Sequence, residues 1–316
     1  MDDVQICLAA ARARFAPIIG AEARASAMMP PVLMPMHLAV DGHPFQIEST
    51  DGCFFLKLMA PEMLAFVAWD ATVLASRRAG ELGIAPPLLA EDAALGAMLF
   101  AWKGAPAGRM PLRGDFADPA VLAATLAAKK AWHESPRLGC GVGPFARLRR
   151  YRAALESMDH AIPLPASLPL LFGWAERIEA AILASGTDPV PLHGENTISN
   201  LLLQADGSVL LVDFDYAADG DRFYDLAAFS LELCSFEDEV ESLLEAYLGR
   251  ADVHAFARMQ AYRVIDDLVW GCWALLAQAR SPRAGKIEFY KYAQNRLLRC
   301  RYWLGIREFD SVLRQV

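Results

Sequence analysis

The sequence predicts an α+β fold of two lobes, in which a small β-rich N-terminal lobe precedes a larger and mostly helical C-terminal lobe. Strand and hairpin patterns are concentrated between residues 43 and 102, whereas helical periodicity dominates from residue 118 onward. The 316 residues are 55% hydrophobic, which is enough to bury a large core. We predict lobes over 1–102 and 103–316, with the loop 103–108 as the hinge.

The N-terminal lobe is predicted to combine a helical extension with a β-sheet. Alanine-rich segments indicate the extension, and Pro17 divides it into two helices. Alternating apolar residues around a turn at 50–52 indicate a β-hairpin, and Gly83 ends the helix that follows it. The predicted elements are helices over 2–15, 20–29 and 62–82, a hairpin over 43–59, and short strands at 87–89 and 97–102.

The C-terminal lobe is predicted to be mostly helical, with a short strand near its middle. The apolar run 209–212 indicates that strand, because a short apolar run beside turn residues is typical of a buried strand. Alanine and leucine alternate with charged residues elsewhere, which indicates amphipathic helices. These helices are predicted at 118–133, 145–158, 170–185, 223–234, 237–248, 252–279 and 286–306.

Composition narrows the range of partners. The formal net charge is −8, the pI is near 5.3, and no Lys/Arg-rich run is present, so nucleic acid is not an expected partner. The six cysteines are scattered without CxxC pairs, which argues against a zinc site and favours reduced thiols in the cytoplasm. Neither a signal peptide nor a membrane span is expected. The sequence leaves a homodimer open.

Two tryptophans near the C-terminus are candidates for cation binding. Trp270 and Trp273 are three residues apart, so on a helix both rings lie on one face, and Tyr292 follows on the next predicted helix. Electron-rich rings that surround one point attract an ammonium group, each by about 0.5–2 kcal/mol. The alternative is ordinary core packing, which is the more common role of apolar pairs at this spacing.

A set of oxygen ligands precedes these aromatic residues. Asp213 ends the apolar run 209–212, and Asp215 lies one strand period later, so both carboxylates point the same way. Asn200 can add a neutral oxygen. Such oxygens suit Mg²⁺ bridging the phosphates of a nucleotide, although a lone Asp or Asn is more commonly a turn or cap residue.

The two groups of residues together resemble a known family. His193, Glu195, Asn200 and the Asp213-Phe214-Asp215 segment follow the catalytic-loop and metal-strand pattern of the choline/ethanolamine kinase family, within the aminoglycoside-phosphotransferase-like kinases. That family also carries a Trp-Gly-x-Trp helix and a Tyr-Ala-Gln-x-Arg segment, and both occur here. The resemblance extends roughly over 45–292 and implies a protein-kinase-like fold.

The resemblance implies ATP-dependent, Mg²⁺-assisted transfer of a phosphoryl group to the hydroxyl of a small amino alcohol, such as choline or ethanolamine. It assigns four groups of residues: catalytic Glu195, Asn200 and Asp213; nucleotide-binding Lys57 and Asp213; metal-binding Asn200, Asp213 and Asp215; and substrate-binding Trp270, Trp273, Tyr292 and Glu195. It also implies that His193 braces the catalytic loop and that Asp225 is a cap or a loop brace.

Three features depart from the family pattern. Glu195 replaces an aspartate, which adds about 1.5 Å of reach. The helical glutamate that usually pairs with the phosphate-binding lysine corresponds to Thr72, and Asp70 and Glu62 are the nearby acids. The phosphate-covering loop 41–44 contains a single glycine.

These departures leave two alternatives to an amino-alcohol kinase open. The first is a weak or inactive pseudokinase that binds nucleotide or amine. The second is a kinase of an aminoglycoside or another small molecule, which the aromatic residues disfavour because aminoglycoside sites use carboxylates rather than rings.

Overall fold

A five-stranded antiparallel sheet is the main feature of the N-terminal part, in a computed structural model that describes residues 3–28, 32–33, 37–38, 40–158, 162–305 and 308–316. This part contains α1 (Asp3–Ile19), β1 (Arg24–Ala27), β2 (Val32–Leu33), β3 (His37–Leu38), β4 (Gly42–Ser49), β5 (Gly52–Met59), α2 (Trp69–Glu81), β6 (Leu88–Asp92) and β7 (Ala97–Ala101). The sheet order is β1-β4-β5-β7-β6. The predicted hairpin is therefore confirmed as β4 and β5.

Helix α1 covers one face of this sheet. Its buried residues Leu8, Ala11, Phe15 and Ile19 recur at helical spacing, so they form one apolar stripe. The stripe packs on inward-facing side chains of the strands, which alternate along each strand as a half-buried sheet requires. The strand residues in this core are Phe45, Ile47, Phe54, Leu56, Leu58, Ala97 and Leu99.

The prediction for the first thirty residues is wrong in two respects. Helix α1 continues through Pro17 and ends at Ile19, so the helix tolerates the loss of the hydrogen bond that a residue at this position would donate to the carbonyl of Ala13. The predicted helix over 20–29 contains strand β1, and residue 29 lies outside the described residues. Ala25 pairs with Ile47 across the sheet, so strand pairing outweighs the helix propensity of alanine here.

The predicted helix over 62–82 is also shorter than expected. A single 3₁₀ turn, Leu64–Phe66, precedes an extended residue, Val67, and α2 begins only at Trp69. The turn brings Phe66 onto the rings of Tyr151 and Trp273, so contacts with the C-terminal part replace continuous helix. Gly83 follows α2 with φ +73°, as expected at a helix end.

The C-terminal part is mostly helical, as predicted. It contains β8 (Gly108–Arg109), α3 (Pro119–His133), α4 (Pro144–Glu156), α5 (Leu168–Ser185), β9 (Val190–Leu192), β10 (Leu201–Gln204), β11 (Val209–Leu211), β12 (Ala218–Gly220), α6 (Arg222–Leu233), α7 (Glu237–Leu248), α8 (Val253–Arg280), α9 (Phe289–Gly305) and α10 (Phe309–Leu313). Helices α3 to α9 begin and end close to the predicted residues, α10 was not predicted, and residue 306 lies outside the described part of the chain.

Helix α8 is the centre of the C-terminal part. It is 28 residues long and packs against α4, α6 and α9, so its side chains are buried on every face from Gln260 to Ala277. The buried side chains include charged ones, and none of the helices formed by the described residues is long and apolar enough to cross a membrane.

The strands of the C-terminal part form their own small sheets. One has the order β11-β10-β8, and the other pairs β12 with β9. Neither joins the five-stranded sheet, so the separation of an N-terminal β-rich region from a helical C-terminal region confirms the α+β prediction. The exact lobe boundary at 102/103 stays a prediction.

Candidate active site

A cavity of about 230 Å³ opens where the five-stranded sheet faces the β10–β11 hairpin. Apolar side chains from both sides form its walls, among them Val40, Phe55, Ala85, Met98, Phe100, Leu202 and Leu211. Its polar side chains include Asp41, Lys57, Ser76, Lys103, Glu195, Ser199, Asn200, Asp213 and Asp215. The structure therefore brings the predicted nucleotide, metal and catalytic residues together in one cavity.

Lys57 connects the two sides of the cavity. It lies on β5, and its Nζ is 2.6 Å from Asp213 Oδ1 and 2.6 Å from Asp215 Oδ2. The Lys57 side chain is only 10% exposed and that of Asp215 1%, so this ion pair is shielded from water, whereas Asp213 is 30% exposed. Lys57 is thereby held where the strand of the N-terminal sheet meets the segment that follows β11.

The three charges shift one another's pKa. Burial lowers the pKa of Lys57, but the two carboxylates outweigh it and raise the pKa above its usual range. Burial, followed by the charge of Asp213, raises the pKa of Asp215 to about 7. For Asp213, burial raises the pKa, but the lysine has the larger combined effect and lowers it. The single ammonium group of Lys57 thus forms ion pairs with both carboxylates.

Asp213 has an uncommon backbone conformation. Its φ is +70°, in the left-handed region that few non-glycine residues adopt, although Asp is among the residues that tolerate it. The conformation turns the chain immediately after β11. His193 Nε2 donates to the carbonyl of Val212 at 2.8 Å, which fixes the start of this turn.

His193 also contacts the backbone of Glu195, in the predicted catalytic loop. Its Nδ1 accepts a hydrogen bond from Glu195 N at 3.4 Å, so the ring bridges Val212 and Glu195. Burial, followed by the charge of Lys129, lowers the pKa of His193 to about 4, which keeps the ring neutral and able to make both bonds. The predicted bracing role of His193 is confirmed.

Gly194 is required by its surroundings. It has φ +83°, and a Cβ built at this position would lie 2.0 Å from the carbonyl oxygen of Tyr216. The catalytic loop therefore packs directly on the backbone that follows Asp215, at a distance that only glycine permits.

Asp225 also fixes the backbone of the loop that contains His193, Gly194 and Glu195. Its carboxylate accepts hydrogen bonds from His193 N at 2.7 Å and Gly194 N at 3.1 Å, and it lies 3.1 Å from His133 Nε2. Burial raises the pKa of Asp225, but the hydrogen bond from His133 and nearby positive charge lower it to about 2. The loop-brace interpretation is confirmed, and the helix cap is Asp221.

Glu195 and Asn200 are joined through the loop backbone. Asn200 Nδ2 donates to the Glu195 carbonyl at 3.1 Å, and the Asn200 carbonyl accepts from Val212 N at 3.0 Å. Glu195 is buried, with 2% of the residue exposed. Burial, followed by the charges of Asp213 and Asp215, raises the pKa of Glu195 well above its usual range.

Arg147 is a charged residue of this site that the sequence did not indicate. It is buried on α4 and donates to the carbonyls of Tyr216 at 2.8 Å, Val142 at 3.3 Å and Gly194 at 3.5 Å. Its guanidinium also lies 4.7 Å from the centre of the Tyr216 ring. It therefore ties α4 to both the catalytic loop and the segment after Asp215.

The predicted tryptophans lie in a larger aromatic cluster. Trp270 and Trp273 have ring centres 5.4 Å apart, and Tyr216 is 4.9 Å from Trp270. On the other side Phe66 is 6.2 Å from Trp273 and 5.8 Å from Tyr151. These five rings form a continuous series that starts at the residue after Asp215. We call them the aromatic cluster.

The sequence indicated only part of this cluster. Tyr216 directly follows Asp215 and could have been found from that position alone. Phe66 and Tyr151 are distant in the sequence and gave no signal.

Tyr292 contacts the guanidinium group of Arg296. Its hydroxyl accepts from Arg296 Nε at 2.8 Å, and the guanidinium lies 5.2 Å from the ring centre. Arg296 in turn pairs with Asp266 and Asp267, and Asp266 accepts from Trp270 Nε1 at 3.2 Å. Tyr292 is thus linked to Trp270 through a buried ion-pair network. Its contact with a substrate stays a prediction.

The partner of Lys57 differs from every expected candidate on or near α2. Glu62 pairs with Arg283 at 2.6 Å, and Asp70 is exposed. Thr72 is fully buried at the expected position, and its hydroxyl donates to the Asp215 carbonyl at 3.1 Å. The acids paired with Lys57 both come from the segment after β11.

The segment 41–44, which the resemblance assigned to a phosphate-covering loop, is largely strand. Gly42 begins β4 and pairs with Met59, and a Cβ at this position would lie 2.6 Å from the Leu58 carbonyl. The glycine is therefore explained by close packing of strands. Asp41, Gly42 and Pro44 still line the cavity.

The polar residues of the cavity suit a hard cation. Asp213 and Asp215 provide carboxylates and Asn200 an amide, which are ligands that Mg²⁺ accepts. Asp215 Oδ1 is buried and accepts no hydrogen bond from any residue that the structure describes. Among the described residues, no three His, Cys, Asp or Glu side chains are placed to share one metal ion. Mg²⁺ is usually bound by one or two carboxylates together with substrate phosphates.

The fold and the cavity define the class of protein as a phosphotransferase with a kinase-like architecture. Residues 41–262 match the phosphotransferase enzyme family (APH), and the chain belongs to that family. A comparison with curated proteins found no match.

Solved structures of related proteins share this fold. A choline/ethanolamine kinase family protein from Mesorhizobium loti is 22% identical, with 98% of each chain covered and a TM-score of 0.77. Choline kinase LicA from Streptococcus pneumoniae is 16% identical, with 95% of this chain and 99% of LicA covered and a TM-score of 0.78. A further LicA structure is a complex with AMP.

A Plasmodium vivax ethanolamine kinase is 15% identical, with 90% of this chain and 84% of that chain covered and a TM-score of 0.70. At these identities the similarities show the fold alone, and they confirm the protein-kinase-like arrangement.

We expect Asp225→Asn to reduce the free energy of unfolding by about 2–3 kcal/mol at pH 7, because the lowered pKa of a buried carboxylate stabilises the folded state. The contribution is present above the unfolded-state pKa, about 3.9, and is lost as the pH falls towards 2. Urea unfolding of both proteins between pH 7 and pH 3 tests this. A difference that stays constant over that range would contradict the role of the charge, and exposed Asp188→Asn is the control.

Proposed function

We propose that this protein transfers the terminal phosphoryl group of ATP to the hydroxyl of a small amino alcohol. The observation that carries the proposal is the junction at Asp215 and Tyr216, where the polar cavity meets the aromatic cluster. One residue belongs to the charged set around Lys57, and the next belongs to the rings around Trp270. A phosphate-binding side and a cation-binding side are therefore adjacent.

The nucleotide is expected in the cavity between the sheet and the β10–β11 hairpin. The apolar walls suit a flat base, and Lys57 offers a permanent positive charge to the phosphates. When bound, Mg²⁺ would be held by Asn200, Asp213 and Asp215 and would neutralise phosphate charge as transfer proceeds.

Glu195 is proposed to accept the proton of the acceptor hydroxyl. The carboxylate lies in the same cavity, and the raised pKa makes it a stronger base than an exposed glutamate. His193, Gly194 and Asp225 fix the loop backbone, so the longer side chain is aimed by a rigid support. A loop built in this way can accommodate glutamate where the resembling family has aspartate.

The acceptor is proposed to place its ammonium group among the rings of the aromatic cluster. Trp270 and Trp273 supply the largest faces, and Tyr216 connects them with the catalytic segment. A desolvated cation near such rings gains about 2 kcal/mol or more per contact. The rings favour a compact ammonium over an aminoglycoside, which carries many amines and hydroxyls.

The decisive experiment is a measurement of ATP consumption against a panel of amino alcohols, with aminoglycosides included. We expect turnover with ethanolamine or its N-methylated analogues. Turnover with an aminoglycoside alone would replace the proposal with the second alternative, and nucleotide binding without any turnover would support a pseudokinase.

We expect Asp213→Asn to abolish transfer and to weaken Mg·ATP binding, because the amide removes a charge that the metal and Lys57 both use. Calorimetric titration of ATP with and without Mg²⁺ measures the effect, and exposed Asp51→Asn serves as the matched control. Undiminished Mg²⁺-dependent binding in Asp213→Asn would show that the metal lies elsewhere.

We expect Glu195→Gln to lower turnover about 10²–10⁴-fold, the usual contribution of a positioned general base. Glu195→Asp should also be slower, because the braced loop leaves the shorter carboxylate short of the hydroxyl. A faster Glu195→Asp protein would mean that the loop has not adapted to glutamate. Equal rates for the natural protein and Glu195→Gln would refute base catalysis, with exposed Glu134→Gln as the control.

We expect Trp270→Ala and Trp273→Leu to raise the KM for the amino alcohol far more than the KM for ATP, because the rings contact the acceptor only. Steady-state kinetics with each substrate varied measures both constants. Trp174→Leu, on α5, controls for the loss of a large side chain. If both site variants leave the amine KM unchanged, the rings only fill the core.

A further inference from the structure

Helix α4 presents two polar side chains to the site along one face. Arg147 and Tyr151 are four residues apart, so they lie one helical turn from each other on the same side. Arg147 reaches the carbonyls of Gly194 and Tyr216, which places this face of α4 against the catalytic loop. Tyr151 therefore lies one turn along from the residue that holds Glu195's loop.

The Tyr151 ring belongs to the cation-binding end of the site. Its contact is with Phe66 at 5.8 Å, and Phe66 is 6.2 Å from Trp273. Phe66 is itself half-buried on the short 3₁₀ turn before α2, so it lies at the edge of the cluster. Tyr151 is thus grouped with the rings around Trp273 rather than with the metal-binding carboxylates.

The hydroxyl of Tyr151 has no hydrogen-bond partner among the residues that the structure describes. The residue is only 6% exposed, so bulk water does not replace the missing partner. A buried polar group without a partner is destabilising, and such groups are rare in native proteins. Its position beside the rings proposed to bind the ammonium group points to the ligand as the missing partner.

The phenol of Tyr151 is neutral. Burial raises its pKa; Arg147 lowers it, and Asp41 and Glu195 raise it again, so the phenol stays protonated. A neutral oxygen in such surroundings can accept a hydrogen bond from an N–H group of a cationic ligand.

We propose that the Tyr151 hydroxyl accepts a hydrogen bond from the ammonium group of the acceptor, and so selects amino alcohols that carry at least one N–H over quaternary ones. This inference rests on the proposed function and specifies its substrate class. A quaternary trimethylammonium is bound by the rings but has no N–H, so it leaves the hydroxyl unpaired. A primary, secondary or tertiary ammonium satisfies the rings and the hydroxyl together.

Selection of this kind is effective because a site built to hydrogen-bond a ligand rejects the analogue that lacks the group. One buried hydrogen bond to a charged group corresponds to about tenfold or more in kcat/KM. Tyr151 is therefore a specificity-determining residue, and Trp270 and Trp273 provide attraction that does not depend on the number of methyl groups.

The experiment compares ethanolamine, N-methylethanolamine, N,N-dimethylethanolamine and choline as acceptors for the natural protein and for Tyr151→Phe. In the natural protein we expect kcat/KM to fall most, about tenfold or more, at the last methylation, where the final N–H is lost. In Tyr151→Phe that step should disappear, because activity with the three N–H-bearing acceptors falls and activity with choline is retained or rises.

Controls separate this effect from a general loss of structure. Phe keeps the ring that packs on Phe66, and thermal unfolding checks that the variant is folded. Tyr262→Phe removes another buried hydroxyl, which bonds Asp221 at 3.3 Å, and should leave the ratio among the four acceptors unchanged. The methylation series with the natural protein tests the proposal without any substitution.

The outcomes are distinguishable. If Tyr151→Phe lowers kcat/KM equally for all four acceptors, or changes it for none, the hydroxyl does not hydrogen-bond the ammonium group. The inference is then refuted while the proposed function stands. A natural protein that shows no step at choline refutes it as well. If the natural protein phosphorylates none of the four, the proposed function itself fails and the inference fails with it.

Discussion

The position of Lys57 between Asp213 and Asp215 is the constraint on which the rest of the site depends. Two carboxylates this close together, one of them fully buried, would repel each other and lose much of their charge without a cation between them. The lysine comes from the five-stranded sheet, and the acids come from the segment after β11. The same charges that make the site chemically useful therefore also hold its two sides together, and removal of Lys57 would leave both carboxylates without their counter-ion.

Around this centre, backbone geometry does most of the positioning. Gly194 lets the catalytic loop approach the Tyr216 carbonyl, and Asp213 turns the chain in a left-handed conformation. His193 and Asp225 bind main-chain atoms of the loop, so they fix where Glu195 begins rather than where its carboxylate ends. The loop backbone is therefore set independently of the acid that it carries.

The sequence predicted the helices of the C-terminal part and the β4–β5 hairpin because their periodicity and turn residues are local signals. It failed at β1, where pairing with β4 outweighs alanine's helix propensity, and at 62–68, where Phe66 is drawn towards Tyr151 and Trp273. The sequence did group Glu195, Asn200, Asp213 and Asp215, because these residues lie close together in one sequence motif. It missed Arg147 and Tyr151, because a side chain that reaches the site from a distant helix leaves no mark in the local pattern.

Thr72 has a consequence for control of the protein. In kinases whose phosphate-binding lysine pairs with a glutamate on the adjacent helix, movement of that helix breaks the pair and switches the enzyme off. Here the corresponding position carries a hydroxyl bonded to the Asp215 carbonyl, and the lysine takes both counter-ions from beyond β11. A displacement of α2 would break this neutral hydrogen bond without removing a counter-ion of Lys57. The ion pairs of the charged centre thus do not depend on a charged side chain from the element through which many kinases receive their regulatory signals.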